Sequence, residues 1–87
     1  MKISDFLLTG RKNAISMADL SHVACIPERS VRLEILQARI AGELICSCEQ
    51  GYFLPETVDD IREYVISRKA YIKTAGKALK PFIKALQ

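Results

Sequence analysis

No stretch of this chain approaches the roughly 20 consecutive apolar residues needed to span a bilayer, and its first residues lack the charged-then-apolar plan of a secretory signal. A cytoplasmic location with no membrane partner is the expectation. Histidine occurs once, at His22, and there is no glycine-rich phosphate loop, no nucleophile motif and no carboxylate pair in a catalytic setting. Asp59 and Asp60 are adjacent and point to different faces of a helix. At 87 residues the chain can bury one modest core and is too short for most enzymes. Neither an enzyme nor a cofactor is expected. The three cysteines are an odd number from which no disulfide framework follows, in keeping with a reducing compartment.

Those cysteines admit two readings, a metal site or burial. His22 and Cys25 stand three apart on a helix, and Cys46 and Cys48 share one face of a strand, which would make a Cys3His zinc set if the helix end met the hairpin. Cysteine is among the most buried residue types, and a C-x-C on a strand reads more simply as two small core side chains. No metal is expected.

Acidic residues are missing from the last twenty positions. Residues 1–67 hold seven Lys or Arg against ten Asp or Glu, a net −3, whereas residues 68–87 hold Arg68, Lys69, Lys73, Lys77, Lys80 and Lys84 for +6. The overall +3 conceals this division.

What is present is a sequence of short elements with clear punctuation. Ser16 is placed to cap a helix whose first turn carries Asp19, where the helix dipole favours negative charge. Leu20, Val23 and Ala24 recur at helical spacing and predict its apolar face. A turn follows at Cys25, Ile26 and Pro27, since proline suits the start of a helix and not its continuation. A second helix is predicted from Glu28 to Ala41, with Val31, Ile35 and Ala38 on one face and Gly42 closing it. Beyond Gly42 the period becomes alternating: residues 44, 46 and 48 share a strand face, Tyr52, Phe53 and Leu54 form the partner strand, and Gly51 takes positive φ in the loop between. Residues 14–16 can add a third short strand at the edge.

Helix, tight turn, longer helix and hairpin, in that order, make the pattern of a winged helix-turn-helix. The run Ile45-Cys46-Ser47, followed by Gly51-Tyr52-Phe53-Leu54-Pro55, resembles small phage and prophage winged-helix DNA-binding proteins, and the resemblance covers about half of the chain. It departs from them at Cys25, where the tight turn usually carries glycine. The resemblance implies double-stranded DNA as partner and a role in transcription or replication control of a phage or mobile element.

If Val31, Ile35 and Ala38 face the core, Glu28, Arg29, Arg32 and Leu33 project outward near the N-terminal end of the second helix, where such helices contact base edges. Arg29 and Arg32 can each bond guanine O6 and N7, Ser30 can meet a phosphate or a base, and Leu33 can meet a thymine methyl. Arg11 and Lys12 are placed for backbone contacts and Gln50, at the hairpin tip, for the adjacent groove. Leu33, Leu36 and Ile40 form a second apolar line on the same helix, which supports the alternative of a protein-binding adaptor on a winged-helix scaffold.

Thr57 is placed to cap a final helix, with Asp59 and Asp60 in its first turn. Val58, Ile61, Val65, Ile72, Ala75, Leu79, Phe82 and Leu86 then follow spacings of three and four, with Arg68 in the seam and the lysines on the outer flank. Pro81 is expected to kink this helix or split off its last turns. The fold class expected is mainly α with a small β-hairpin: a winged helix-turn-helix over residues 1–56, then a long amphipathic helix over residues 57–87. That helix is expected to form a homo-oligomer, a dimer in preference, through Val65, Ile72, Leu79, Phe82 and Leu86.

Overall fold

The computed structural model describes residues 2–87. Two 3-10 turns, Ile3–Phe6 and Arg11–Asn13, precede helix α1 (Met17–Ala24), helix α2 (Glu28–Ile40), an antiparallel hairpin of β1 (Cys46–Cys48) and β2 (Gly51–Phe53), and helix α3 (Val58–Ala85). The chain is thus mainly helical, with one small two-stranded sheet and a long C-terminal helix.

The caps form as the sequence predicts. Ser16 Oγ accepts from the Asp19 N–H at 3.1 Å, and Thr57 Oγ1 accepts from the Asp60 N–H while Asp60 reaches back to the Thr57 N–H, closing a capping box. Both α1 and α2 end in the same way. Ile26 N–H bonds to the Ser21 carbonyl and Cys25 N–H to that of His22; Glu43 N–H bonds to the Ala38 carbonyl and Gly42 N–H to that of Arg39. Each pair of bonds is a Schellman closure, which needs a left-handed residue at the stop. Gly42 supplies it at φ 103°, and at the first stop Cys25 does so at φ 58°. A side chain in that conformation costs about 1 kcal/mol or more, because its Cβ crowds the next carbonyl.

Leu20, Val31, Ile35 and Ala38 meet Ile3, Leu7 and Ile45 in the core, with Ile15, Met17, Ala24, Tyr52 and Leu54 packed around them. Phe53 is also fully buried. Val23, expected on the apolar face of α1, is instead exposed, since so short a helix turns only one line of side chains inward. The expected strand also begins later than the alternation suggested. Leu44 is 60% exposed while Ile45 is 2% exposed, because the closure at Gly42 delivers Ile45 into the core before strand geometry starts at Cys46.

The hairpin pairs Cys46 with Phe53 and Cys48 with Gly51 across the turn Glu49-Gln50. Residue 15 lies along its edge: Ile15 and Tyr52 exchange both backbone bonds at 2.9 Å. A second tie comes from Leu54, whose N–H bonds to the Leu8 carbonyl and whose carbonyl accepts from Gly10. The first turns of α3 pack on β1, and Cys46 Sγ sits 3.9 Å from the Asp60 carbonyl. Pro81 does not split off a last helix, for α3 runs on through it as one helix of 28 residues to Ala85.

Gly51 and Cys25 test this backbone in opposite directions. A Cβ on Gly51, at φ 135°, would stand 2.0 Å from the Ile15 carbonyl oxygen, so Gly51→Ala should destabilise by about 3 kcal/mol in chemical denaturation. At Gly42 an added Cβ meets nothing, so Gly42→Ala should cost only about 1 kcal/mol. Cys25→Gly should raise stability by about 0.5 to 1 kcal/mol, the relief of the left-handed strain exceeding the added freedom of the unfolded chain.

Candidate nucleic-acid interface

Helix α2 has one buried line and one exposed line. Val31, Ile35 and Ala38 are buried, and Glu28, Arg29, Arg32 and Leu33 are exposed around the first turn and a half. Pro27 occupies the N-cap position and has no side-chain oxygen to offer; its carbonyl accepts from Ser30 and Val31 at 2.9 and 3.1 Å. Ser30 is half-buried, which leaves it less reach than its neighbours. Among the described residues neither Arg29 nor Arg32 enters an ion pair, so both guanidiniums keep their full set of donors.

The other expected contact residues gather elsewhere. Arg11 and Gln50 line a concavity of about 620 Å³ between the hairpin and α3, together with Ser47, Glu63, Tyr64 and Arg68. Glu28, Arg29, Ser30, Arg32 and Leu33 do not line it. Arg11 is bound to Glu63 at 3.0 Å, and both side chains are more than half exposed. A surface pair of this kind is worth about 0–1 kcal/mol and gives way readily to a stronger anion. Lys12 follows Arg11 in a 3-10 turn rather than an open loop and is exposed. Gln50 is exposed at the hairpin tip, where its Oε1 lies 3.3 Å from Cys48 Sγ. The concavity carries Arg11 and Arg68 against Glu49 and Glu63, and the outer face of α2 carries Arg29 and Arg32 against Glu28 and Glu34. Neither surface is strongly positive by itself.

Two arginines that position these surfaces were not singled out as site residues in the sequence. Arg39 donates from Nε to the Ile45 carbonyl at 2.9 Å, and its guanidinium lies 5.9 Å from the Tyr52 ring centre and 4.9 Å from that of Tyr64. It ties α2 to the loop, to β2 and to α3. Its Nη2 is buried with no hydrogen-bond partner among the described residues. Arg68 stacks on Tyr71 at 4.9 Å and stands at the rim of the concavity. The signal for Arg68 was its spacing of four from Tyr64, which puts both on one side of α3. Arg39 had no such local signal, because its partners lie 13 and 25 positions away, at Tyr52 and Tyr64.

The thiols do not converge. Cys25 is exposed and faces the His22 carbonyl, Cys46 is buried beside Asp60, and Cys48 contacts Gln50. Among the described residues no group of three or more His, Cys, Asp or Glu side chains is arranged to hold a metal ion. Burial pushes the Cys46 thiol up from its ordinary value, Asp60 adds to this, and Arg39 and Arg11 oppose it.

No protein-family model matches this chain, and no known protein or solved structure compared with it does so either.

Arg39→Met keeps the hydrocarbon stem and removes the guanidinium. It should cost about 2 kcal/mol in denaturation and speed amide exchange in residues 60–66 of α3, and Arg39→Lys should not restore the loss because an ammonium cannot stack as a plane. Among the thiols, brief alkylation near about pH 8 should modify Cys25 first and leave Cys46 intact until unfolding, as read by peptide mass spectrometry.

Proposed function

We propose that this chain is a winged helix-turn-helix protein that binds double-stranded DNA, with α2 as the recognition helix and the β1–β2 hairpin as the wing. The observation that carries the proposal is the pair Arg29 and Arg32, exposed and, among the described residues, free of ion pairs at the N-terminal end of a helix whose opposite line is the core. A guanidinium there can engage guanine O6 and N7 together in a major groove. Glu28 and Leu33 flank the pair as selectors, the carboxylate accepting from cytosine N4 and the leucine meeting a thymine methyl. Ser30, half-buried, serves a nearby phosphate.

Support also comes from the way α2 is presented. The three-residue turn after α1, stopped by the left-handed Cys25, sets the two helices against each other, and α2 projects its N-terminal turns beyond Pro27. Arg11 and Gln50 line the concavity between the hairpin and α3, with Lys12 exposed beside Arg11, and are suited to the phosphate backbone and the adjacent groove rather than to the base pairs met by α2. Transcription or replication control in a phage or mobile element fits so small a binding module.

One observation favours a second reading, a protein-binding adaptor. Leu33, Leu36 and Ile40 are all exposed on α2, Ile40 at 77%, where a helix with DNA as its only partner needs no apolar line.

Fluorescence polarisation with a mixed-sequence duplex at two salt concentrations separates the two. DNA binding should weaken steeply as salt rises, whereas an adaptor gives no useful binding at either. With a selected site in hand, Arg29→Ala and Arg32→Ala should each lose about 1 to 3 kcal/mol of affinity with unchanged melting curves. Unchanged binding by both variants would remove α2 from the role of reader.

A further inference from the structure

The largest apolar surface left open in this molecule lies along α3. A groove of about 440 Å³ runs between the C-terminal half of α2 and the start of α3, lined by Leu36, Leu44, Ile61, Val65 and Ile72. The same helical stripe continues past the groove through Leu79, Phe82, Ile83 and Leu86, with Phe82 72% and Leu86 90% exposed. No residue of α3 is buried. Each chain therefore has one apolar groove and one apolar arm, the arm reaching about 21 Å beyond Ile72 at 1.5 Å per residue.

We propose that the groove receives the distal half of α3 from a second copy of this chain, with the two helices antiparallel and the exchange reciprocal about a two-fold axis. This inference rests on the groove and α3 and holds whether or not α2 binds DNA.

Closure is the first argument. A groove and an arm on one chain form a self-complementary surface, and a two-fold pairing satisfies both copies and leaves nothing open for a third. Area is the second. The eight exposed apolar side chains along the groove and arm, at on the order of 100 Å² each, approach the ~800 Å² per partner of a stable interface.

Charge selects the partner and the orientation. Residues 56–63 hold Glu56, Asp59, Asp60 and Glu63 against Arg62, a net −3, and with Arg11 on Glu63 the region remains at −2. Residues 68–87 carry +6 without an acid. Antiparallel packing brings Lys77, Lys80 and Lys84 of one copy beside the acidic start of α3 in the other. Parallel packing would set +6 against +6 within the Debye length of about 8 Å.

The test uses the full chain, with its mass followed by light scattering through a dilution series. Wild-type protein should be a dimer that dissociates on dilution. Phe82→Asp should be monomeric at every concentration and should melt as wild-type protein does when diluted to monomer, since Phe82 touches no core. Lys80→Glu with Lys84→Glu gives the decisive sign: in the antiparallel dimer it removes attraction and weakens association about tenfold. In a parallel dimer the same change removes repulsion and tightens association, which would overturn the proposal. A wild-type chain that stays monomeric at high micromolar concentration would also overturn it, and would assign the stripe to another protein or to an anionic lipid surface.

Discussion

The arrangement of this molecule depends on the guanidinium of Arg39. It leaves the last turn of α2, hydrogen-bonds the carbonyl of Ile45 and lies against the rings of Tyr52 and Tyr64, so one side chain touches the loop, the hairpin and the third helix. Partly desolvated cation–π contacts of this kind are worth about 2 kcal/mol, and part of that is offset by leaving Nη2 buried and unpaired. The net energy is modest, and its effect is chiefly geometric. With Arg39 in place, α3 begins on β1 and departs along a fixed line, and Leu36 and Leu44 become one wall of a groove whose other wall is Ile61 and Val65.

That geometry divides α2 lengthwise into three uses. Its inner line of Val31, Ile35 and Ala38 is held in the core, its N-terminal outer face presents two exposed arginines, and its C-terminal outer face opens onto α3. In the reading proposed above, the first outer face meets DNA and the second meets another copy of the chain, so neither ligand competes with the other. The core is small, and the distal half of α3 gains nothing from it. An isolated helix of about 12–15 residues, the length of that distal half, is marginal in water by itself, and covering its stripe supplies the tertiary contact it lacks.

Much of this was legible in the sequence, and the exceptions have physical causes. Ser16, Thr57 and Gly42 announced helix ends because capping is local chemistry, and Val31, Ile35 and Ala38 announced a buried face because their spacing is that of a helix. Ile45 and not Leu44 enters the core, since Leu44 lies before the strand and outside its alternation. Val23 has helical spacing to Leu20, but an eight-residue helix does not bury that line. Pro81 did not end α3: its missing N–H frees one carbonyl, on Lys77, and in an exposed helix water can take it. Arg39 could not be singled out, because its role is created by two tyrosines distant in sequence. Sequence separates base-reading Arg29 and Arg32 from Arg11 and Gln50 by role, and the fold adds that Arg11 and Gln50 share a concavity with α3 that the α2 residues do not line.

The separation of the two outer faces of α2 is the central claim, and a map of backbone amide shifts tests it most directly. Isotope-labelled protein would be titrated with a short duplex under conditions where its association state is constant. The account predicts shifts concentrated in residues 28–33, with a second, smaller set in residues 11–12 and 49–50, and none in residues 36–46 or 72–86. Shifts confined to residues 36–46 and to α3, with residues 28–33 unmoved, would contradict it.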